Sequence, residues 1–534
     1  MAIATLLALP ILVVVAKVGA DSGGWWTHLA STVLGTYVRN TLWLALGVSL
    51  LTCVLGISSA WAVSLCEFPG RNTFRWALLL PLAIPTYLSA YAYADLLQFS
   101  GPVQSWLREV FEWGRQDYWF PQVRSLPGAA VILSLGLYPY VYLAARTAFL
   151  EQSVCVLEVG RTLGLGPWRS FFRIALPLAR PSIIAGLSLV LMETLAEFGA
   201  VQHCAVDTFA TGIYRAFNQP TTPSTHALNA AAQLSTCLLV LIALLLGLEV
   251  LARRGMRFHH MSTRYRTLPT WRLTGVRAAA AFMVCSVPVV LGFGVPLLLF
   301  ATKSLRHGDA RAREVFLEFG RNSFILAAVA SALAVLLALL IAYWQRLHPS
   351  PLSHAMGRLA GIGYAIPGVV IAIGVLAVVD VGPSFWLSTT VIALIYGYQT
   401  RFLAVSMNFL QAGLTRIKPS IDGAARTLGA SPGRMLRSVH FPLLRGTILA
   451  ASLLVFVDVI KELPATLILA PFNFQTLAVR VYQLASDERL NEASSGALAM
   501  ILIGLLPVAI LSRMLDRSRP GDDPPAQNAP PEVA

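Results

Sequence analysis

Glu158-Val-Gly-Arg-Thr-Leu-Gly164, followed by Pro167 and Leu176-Pro177, returns later as Gly423-Ala-Ala-Arg-Thr-Leu-Gly429, followed by Pro432 and Phe441-Pro442. Aligning Arg161 with Arg426 sets an offset of 265 (426 − 161) that holds without a gap through Arg169/Arg434, Arg180/Arg445, Glu193/Asp458 and Glu197/Glu462. It continues into Phe209/Phe474, Thr211/Thr476 and Arg215/Arg480. One spacing kept over so many positions implies two related parts in tandem.

The duplication extends upstream. Arg39-Asn40-Thr41 matches Arg321-Asn322-Ser323, and Ala83-Ile84-Pro85 matches Ala365-Ile366-Pro367, both at an offset of 282. The offset falls to 260 at Phe149-Leu150 against Phe409-Leu410, mostly because the first part has a longer loop near 99–126. Trp106, Trp113, Tyr118 and Trp119 lie in that loop, as expected of a membrane interface or a contact with an external partner.

Local chemistry gives the repeated stretch a shape. Pro419-Ser420 reads as a helix start with Ser420 as N-cap, and Gly429 as its stop. Ser431 then caps a second short helix with Pro432 at its first position, and Pro442 is expected to close it. The first copy repeats this with Gly164, Pro167 and Pro177. Two short basic helices joined by a bend, present twice, read as a docking element for another protein.

Composition sets the class. Of the 534 residues, 56% are hydrophobic and only 12% charged, which places the chain in a membrane. The net charge of +14 fits arginines gathered on the cytoplasmic side better than nucleic-acid binding. Six cysteines without paired spacing indicate neither a disulfide framework nor a zinc site. Apolar runs fall near 3–20, 40–64, 76–98, 127–149, 181–201 and 229–251, then near 279–301, 322–344, 358–380, 386–409, 447–467 and 493–512. The expectation is an all-α integral membrane protein of about twelve transmembrane helices, in two tandem six-helix repeats. The first run has a signal-like Gly19-Ala20 but no basic start, and its counterpart is a plain span ending near Lys303, so it is expected to stay as a helix.

The domains follow: a first half over 1–252 (core 37–250), an Arg-rich linker over 253–278, a second half over 279–513 (core 319–513) and a disordered tail over 514–534. The linker holds Arg253, Arg254, Arg257, Arg264, Arg266, Arg272 and Arg277 without an acid, and is therefore expected in the cytoplasm. Counting spans outward puts both termini and both repeated bends on that side.

No phosphate-binding G-x-x-x-x-G-K-[ST] motif is present, so ATP that drives this chain must be hydrolysed by another. The histidines show no ligand spacing, and no carboxylate pair or Ser/His/Asp set reads as catalytic. A conduit without a cofactor or a firm metal site is expected, not an enzyme. The informative polar groups are acids inside apolar helices: Glu193 and Glu197 at i and i+4, matched by Asp458 and Glu462. Carboxylates at such depth turn toward the bundle interior or a water-filled path. Pseudosymmetry would bring the four together, a set suited to a hard cationic cargo. The alternative is structural, with Lys461 neutralising Glu462 and Glu197 hydrated near the external end. Gly199 and Pro464 fall at equivalent places, where both helices are expected to break or end.

A glycine followed about a dozen residues later by Leu-Pro, as in Gly164 to Leu176-Pro177, resembles the signature of ABC-importer permeases. The acidic and small positions of that signature are approximated by Glu158-Val-Gly and Asp422-Gly-Ala-Ala. The resemblance makes the repeated stretch the coupling helix seated on the ATPase, carried here by Glu158, Arg161, Gly164, Pro167 and Pro177, and by Asp422, Arg426, Gly429, Pro432 and Pro442. Glu193-Thr-Leu-Ala-Glu-Phe-Gly-Ala-Val201, Asp207-Thr-Phe-Ala-Thr-Gly-Ile-Tyr214, Lys461-Glu-Leu-Pro-Ala-Thr466 and Phe474-Gln-Thr-Leu-Ala-Val-Arg-Val-Tyr482 are similar to the fused, two-half permeases of ferric-iron importers. The likeness runs from about Asn40 to Arg513. It implies a bacterial inner-membrane permease with a periplasmic binding protein outside and two ATPase copies inside, moving ferric iron by alternating access. Relatives for thiamine, molybdate, sulfate or polyamine share the architecture. The rival class is a secondary transporter, which also uses internal repeats but needs no docking bend.

Overall fold

A computed structural model describes residues 2–151, 166–219, 224–253, 270–307, 310–381, 390–415 and 417–517. Among them the chain is almost wholly helical, its strands being two-residue segments, Cys66–Glu67 paired in parallel with Trp271–Arg272. The helices used below are α1 (Ala2–Ala16), α2 (Leu34–Leu65), α3 (Thr86–Leu97), α4 (Pro102–Phe111), α5 (Leu126–Glu151) and α6 (Leu176–Ala196). After them come α7 (Gly199–His203), α8 (Ser224–Arg253), α9 (Val276–Val289), α10 (Val295–His307) and α11 (Ala310–Leu347). The remainder are α12 (Gly368–Val381), α13 (Val391–Thr415), α14 (Pro419–Thr427), α15 (Phe441–Lys461), α16 (Pro464–Leu469) and α17 (Leu490–Arg517).

Among the described residues eight helical stretches are long and apolar enough to cross a membrane, or nine if the bent pair Arg71–Ala83 and Thr86–Phe111 counts as one span. Four of the twelve expected runs do not stand among these as single straight spans, each for a local reason. Near 76–98 the chain breaks by 88°. Pro85 disfavours helical backbone at Ile84, which is extended (φ −98°, ψ 120°), and α3 starts afresh after the proline. Ile366-Pro367 breaks the run near 358–380 in the same way and leaves α12 with only 14 residues. The first run gives α1, only 15 residues long. The run near 386–409 does form a 25-residue helix, α13, but it falls outside the eight because it carries Gln399, Thr400 and Arg401. All three are buried against protein, so this helix has less need of an apolar surface for lipid.

Packing repeats between the two parts. α2, α5 and α6 pack on one another, as do α11, α13 and α15; α7 packs on α3 as α16 packs on α12. The opening helix of each part crosses to the other. α1 lies on α12, α13 and Pro351–Ala360, while α9 and α10 lie on α2 and α3. Cores therefore run across the parts, with Leu463, Val481 and Met500 buried in one cluster with Tyr138 and Phe149. In the long loop, α4 forms, Trp106 and Trp119 stand exposed, and Trp113 stacks between Phe111 and Tyr118 at 4.6 and 5.4 Å.

Candidate functional site

The repeated stretch is described in its second copy. Glu158, Arg161 and Gly164 lie outside the described residues, and Pro167 opens a short helix over Pro167–Ser170. In the second copy α14 begins two residues earlier than expected, with Lys418 as N-cap and Pro419 at the first position, so Ser420 is not the cap. Its end follows the expectation. Gly429 takes a left-handed φ of 74°, and the Ala430 N–H reaches back to the Ala425 carbonyl at 3.0 Å. Ser431 caps the next turn by accepting from the Arg434 N–H at 3.4 Å, with Pro432 in the first turn.

Pro442 does not close that helix. The chain passes through a π-helical turn, Leu436–His440, directly into α15, and Phe171–Ala175 does the same ahead of Pro177 and α6. Each proline lacks the N–H that would bond four residues back, and the wider π spacing accommodates that loss without a break.

Asp422 faces inward. Arg346, near the end of α11, donates to its carboxylate at 2.7 and 3.1 Å and to the Ile417 carbonyl at 2.9 Å. His440 Nε2 meets the same carboxylate at 2.9 Å. Burial alone raises the Asp422 carboxyl, but the bonds from Arg346 and His440 outweigh it and hold the group below the usual carboxylate range. With Asp422 pinned, the opposite face of α14 is free: Gly423, Ala424, Arg426 and Thr427 are exposed, and Leu428 is 85% exposed. An apolar knob and a cation on a braced bend make a surface another protein can grip.

The four acids meet. Glu193, Glu197, Asp458 and Glu462 all line one cavity of about 510 Å³ between the two parts. α6 ends at Ala196 and α15 at Lys461, so Glu197 and Glu462 are both C-caps, in extended backbone. Each turns its carboxylate onto the next short helix: Glu197 accepts from the Ala200 N–H at 2.9 Å, and Glu462 from the Ala465 N–H at 3.2 Å. These first-turn donors have no partner within their own helix, so both glutamates have a structural duty. Glu197 is half-buried and hydrogen-bonded, not simply hydrated.

Their remaining partners differ. Glu197 accepts a short hydrogen bond from the Thr86 hydroxyl. Glu462, 6% exposed, pairs at 2.9 Å with Arg401 of α13, itself 8% exposed. At the offsets of 260 and 282, Arg401 stands opposite Val141, and Gly368 opposite Thr86. The glycine is required: a Cβ at 368 would lie 2.3 Å from Arg401 Nη1 and 2.5 Å from Glu462 Oε1. One part therefore satisfies its glutamate with a hydroxyl and the other with a guanidinium for which a side chain has been removed.

The inner pair is less occupied. Glu193 accepts from the Tyr364 hydroxyl at 3.1 Å, a bond between the parts, and Asp458 stands one turn before Lys461. Lys461 does not bond Glu462; its Nζ donates to the Leu82 carbonyl of the other part at 2.9 Å. Four acidic side chains against Arg401 and Lys461 give the lining a formal excess of negative charge. Among the described residues no three His, Cys, Asp or Glu side chains are gathered closely enough to hold a metal ion, so the acids are spread around the cavity. Arg401, Gly368 and Tyr364 escaped the sequence reading; a lone arginine inside an apolar run was the available signal for the first.

Residues 1–258 and 334–521 match the family described as binding-protein-dependent transport system inner membrane component. The chain belongs to that family. It is 27% identical over 485 residues to the Fe(3+)-transport system permease protein FbpB 2 of Haemophilus influenzae, covering 89% of each chain. It is 22% identical over 500 residues to the ferric transport system permease protein FbpB of Actinobacillus pleuropneumoniae, covering 89% of this chain and 70% of that one. A shorter likeness, 35% over 146 residues, joins 27% of the chain to 60% of the molybdenum transport system permease protein ModB of Escherichia coli. As a family member the chain is a multi-pass inner-membrane transport component.

Proposed function

We propose that this chain is the permease subunit of an ABC importer that carries ferric iron from periplasm to cytoplasm. The observation that carries the cargo assignment is that all four matched acids line one cavity. A trivalent cation crossing a low-dielectric bundle needs compensating charge, and carboxylates spread along a path lower its barrier without trapping it. Similarity over nearly the whole length to permeases named for ferric transport supports the same reading. Molybdate or sulfate is the second reading, favoured by the partial likenesses. Oxyanions entering this cavity would meet an excess of like charge.

The architecture proposed is two tandem halves, 1–252 and 279–513, each crossing six times with broken as well as straight segments. The exposed face of α14, and the matching stretch of sequence around Arg161, would seat two copies of a separate ATPase, with a periplasmic binding protein delivering cargo at the far end. Arg272 and Thr270 both bond Glu67 just after α2, which brings the linker's end to the α2 terminus that corresponds to the α11 end bracing α14. That proximity supports linker and bends on one cytoplasmic side, and the count of spans outward from the linker would put both termini there too. Uptake of radiolabelled iron, thiamine, molybdate and putrescine in a deletion strain tests the cargo. Restoration of molybdate but not iron uptake by this chain would reject the assignment.

A further inference from the structure

Away from the cavity, charged groups join the two parts at two sites of the same construction. At the end of α1, Lys17 Nζ donates to Asn229 Oδ1 of α8 at 3.0 Å and lies 3.5 Å from the Asp380 carboxylate of α12. On α10, Lys303 Nζ donates to Asn491 Oδ1 of α17 at 3.0 Å and lies 3.1 Å from the Asp95 carboxylate of α3. In both, lysine and asparagine come from one part and the aspartate from the other. A turn beyond each asparagine a second bond fastens the lysine's own side: Gln233 to the Val18 carbonyl at 3.1 Å, and Ser304 to Ser495 at 2.9 Å. Each lysine thus has a fixed side within its part and a free side across the boundary.

The aspartates are not strict counterparts. At the offset of 282, Asp95 corresponds to Ala377, and Asp380 stands three residues further along its helix. The same contact is made from positions one turn apart, which inheritance of a shared sequence pattern alone does not explain.

Their level in the bundle gives them a task. Asp380 is twelve residues along α12 from Gly368 at the cavity, about 18 Å, and Asp95 is nine residues along α3 from Thr86, about 14 Å. Both lie away from the bend that opens α15, so the cavity sits between the bend and the two ion pairs. Side chains here are 15% and 34% exposed in one pair and 22% and 24% in the other, so neither pair is sealed within the bundle. Pairs of this kind are weak enough to break in each cycle.

We propose that Lys17–Asp380 and Lys303–Asp95 are paired latches that close the cavity on the side away from the docking bend. They part across the boundary when cargo enters, while Asn229 and Asn491 retain the lysines so that the same contacts re-form. The four charged residues are positioning residues for transport. This rests on the family's transport role and not on which cargo is carried.

The test uses the full chain in sealed proteoliposomes with its ATPase partner, and Ala196→Cys at the cavity as a reporter for a membrane-impermeant maleimide. Labelling of the six native cysteines is subtracted using the parent. Lys17→Gln or Lys303→Gln should each raise the labelling rate from the far side by up to about fivefold, the ceiling for a partly exposed pair. The two together should raise it further, and exchanging the charges, Lys303→Asp with Asp95→Lys, should return it toward the parent rate. Should the lysine variants not assemble, Asp95→Asn and Asp380→Asn break the free side alone and carry the same expectation. Unchanged far-side labelling, or a rise that charge exchange does not reverse, overturns the proposal.

Discussion

Arg401→Val gives the second part the residue that the first part has at Val141, and the structure says what it should cost. Glu462 would keep the Ala465 N–H at 3.2 Å but lose the guanidinium at 2.9 Å, leaving a carboxylate that is 6% exposed without a counter-ion. Breaking one side of a buried pair destabilises by about 3–5 kcal/mol, more than the change in packing from Arg to Val would be expected to cost. Gly368→Thr alone should also destabilise, because its Cβ would lie 2.3 Å from Arg401 Nη1. Made together, the two substitutions copy the Thr86–Glu197 arrangement of the first part, with space for the hydroxyl and a donor for the carboxylate. The double variant should therefore recover about 1.5 kcal/mol relative to the sum of the single losses, within the range of about 0.5–3 kcal/mol for residues that share partners. Thermal unfolding of the purified chain in one detergent, read as a double-mutant cycle, measures this. Additive losses in the cycle, or an Arg401→Val protein as stable as the parent, would refute the reasoning.

Three further outcomes follow from the site. Replacing Glu193 and Asp458 together, by Gln and Asn, should cut iron uptake by about tenfold or more, the equivalent of 1.4 kcal/mol or more in the barrier. Binding-protein-stimulated ATP hydrolysis should survive; its loss in parallel would give the acids a structural role instead. Gly429→Val should leave insertion intact but uncouple uptake from ATP hydrolysis, since φ 74° strains a branched residue by roughly 1–2 kcal/mol while nothing lies within 4 Å of its Cβ. Normal coupled uptake in that variant would mean the bend's shape is unimportant. Because the folded Asp422 carboxyl is held below its unfolded value, its pairing stabilises the bend above the unfolded pKa of about 3.9 and is lost as pH falls through the lower folded one. Acid unfolding profiles of the parent and Asp422→Asn should converge below that point; profiles parallel at every pH would contradict the assignment.

What the sequence disclosed was whatever leaves a local chemical mark. Gly429, Ser431 and Pro432 signal a stop and a start through backbone rules that hold in any context, and they were placed correctly. Ile84-Pro85 and Ile366-Pro367 carried an equally local signal, but the apolar runs around them read as continuous spans, so two breaks were missed. The four acids could be grouped because the duplication pairs them, and the cavity does group them. Arg401 and Gly368 stayed hidden for the opposite reason: comparing halves finds what is the same, and these two matter because Val141 and Thr86 differ from them. The crossing of α1 onto α12, and of α9 and α10 onto α2 and α3, has no local mark, since it depends on contacts between residues hundreds of positions apart.

The unequal partners of Glu197 and Glu462 bear on why both halves share one chain. An importer built from two identical subunits would have to install every substitution twice, so an arginine beside one glutamate would appear beside both. Two guanidiniums in this lining, one on each side, together with a doubled Lys461, would cancel its four carboxylates. Joining the copies end to end releases each from the other's mutations, and a central passage can then acquire a charged and a neutral wall. Iron permeases split into identical subunits should accordingly lack an arginine at this level of the bundle, and the fused ones are free to keep it.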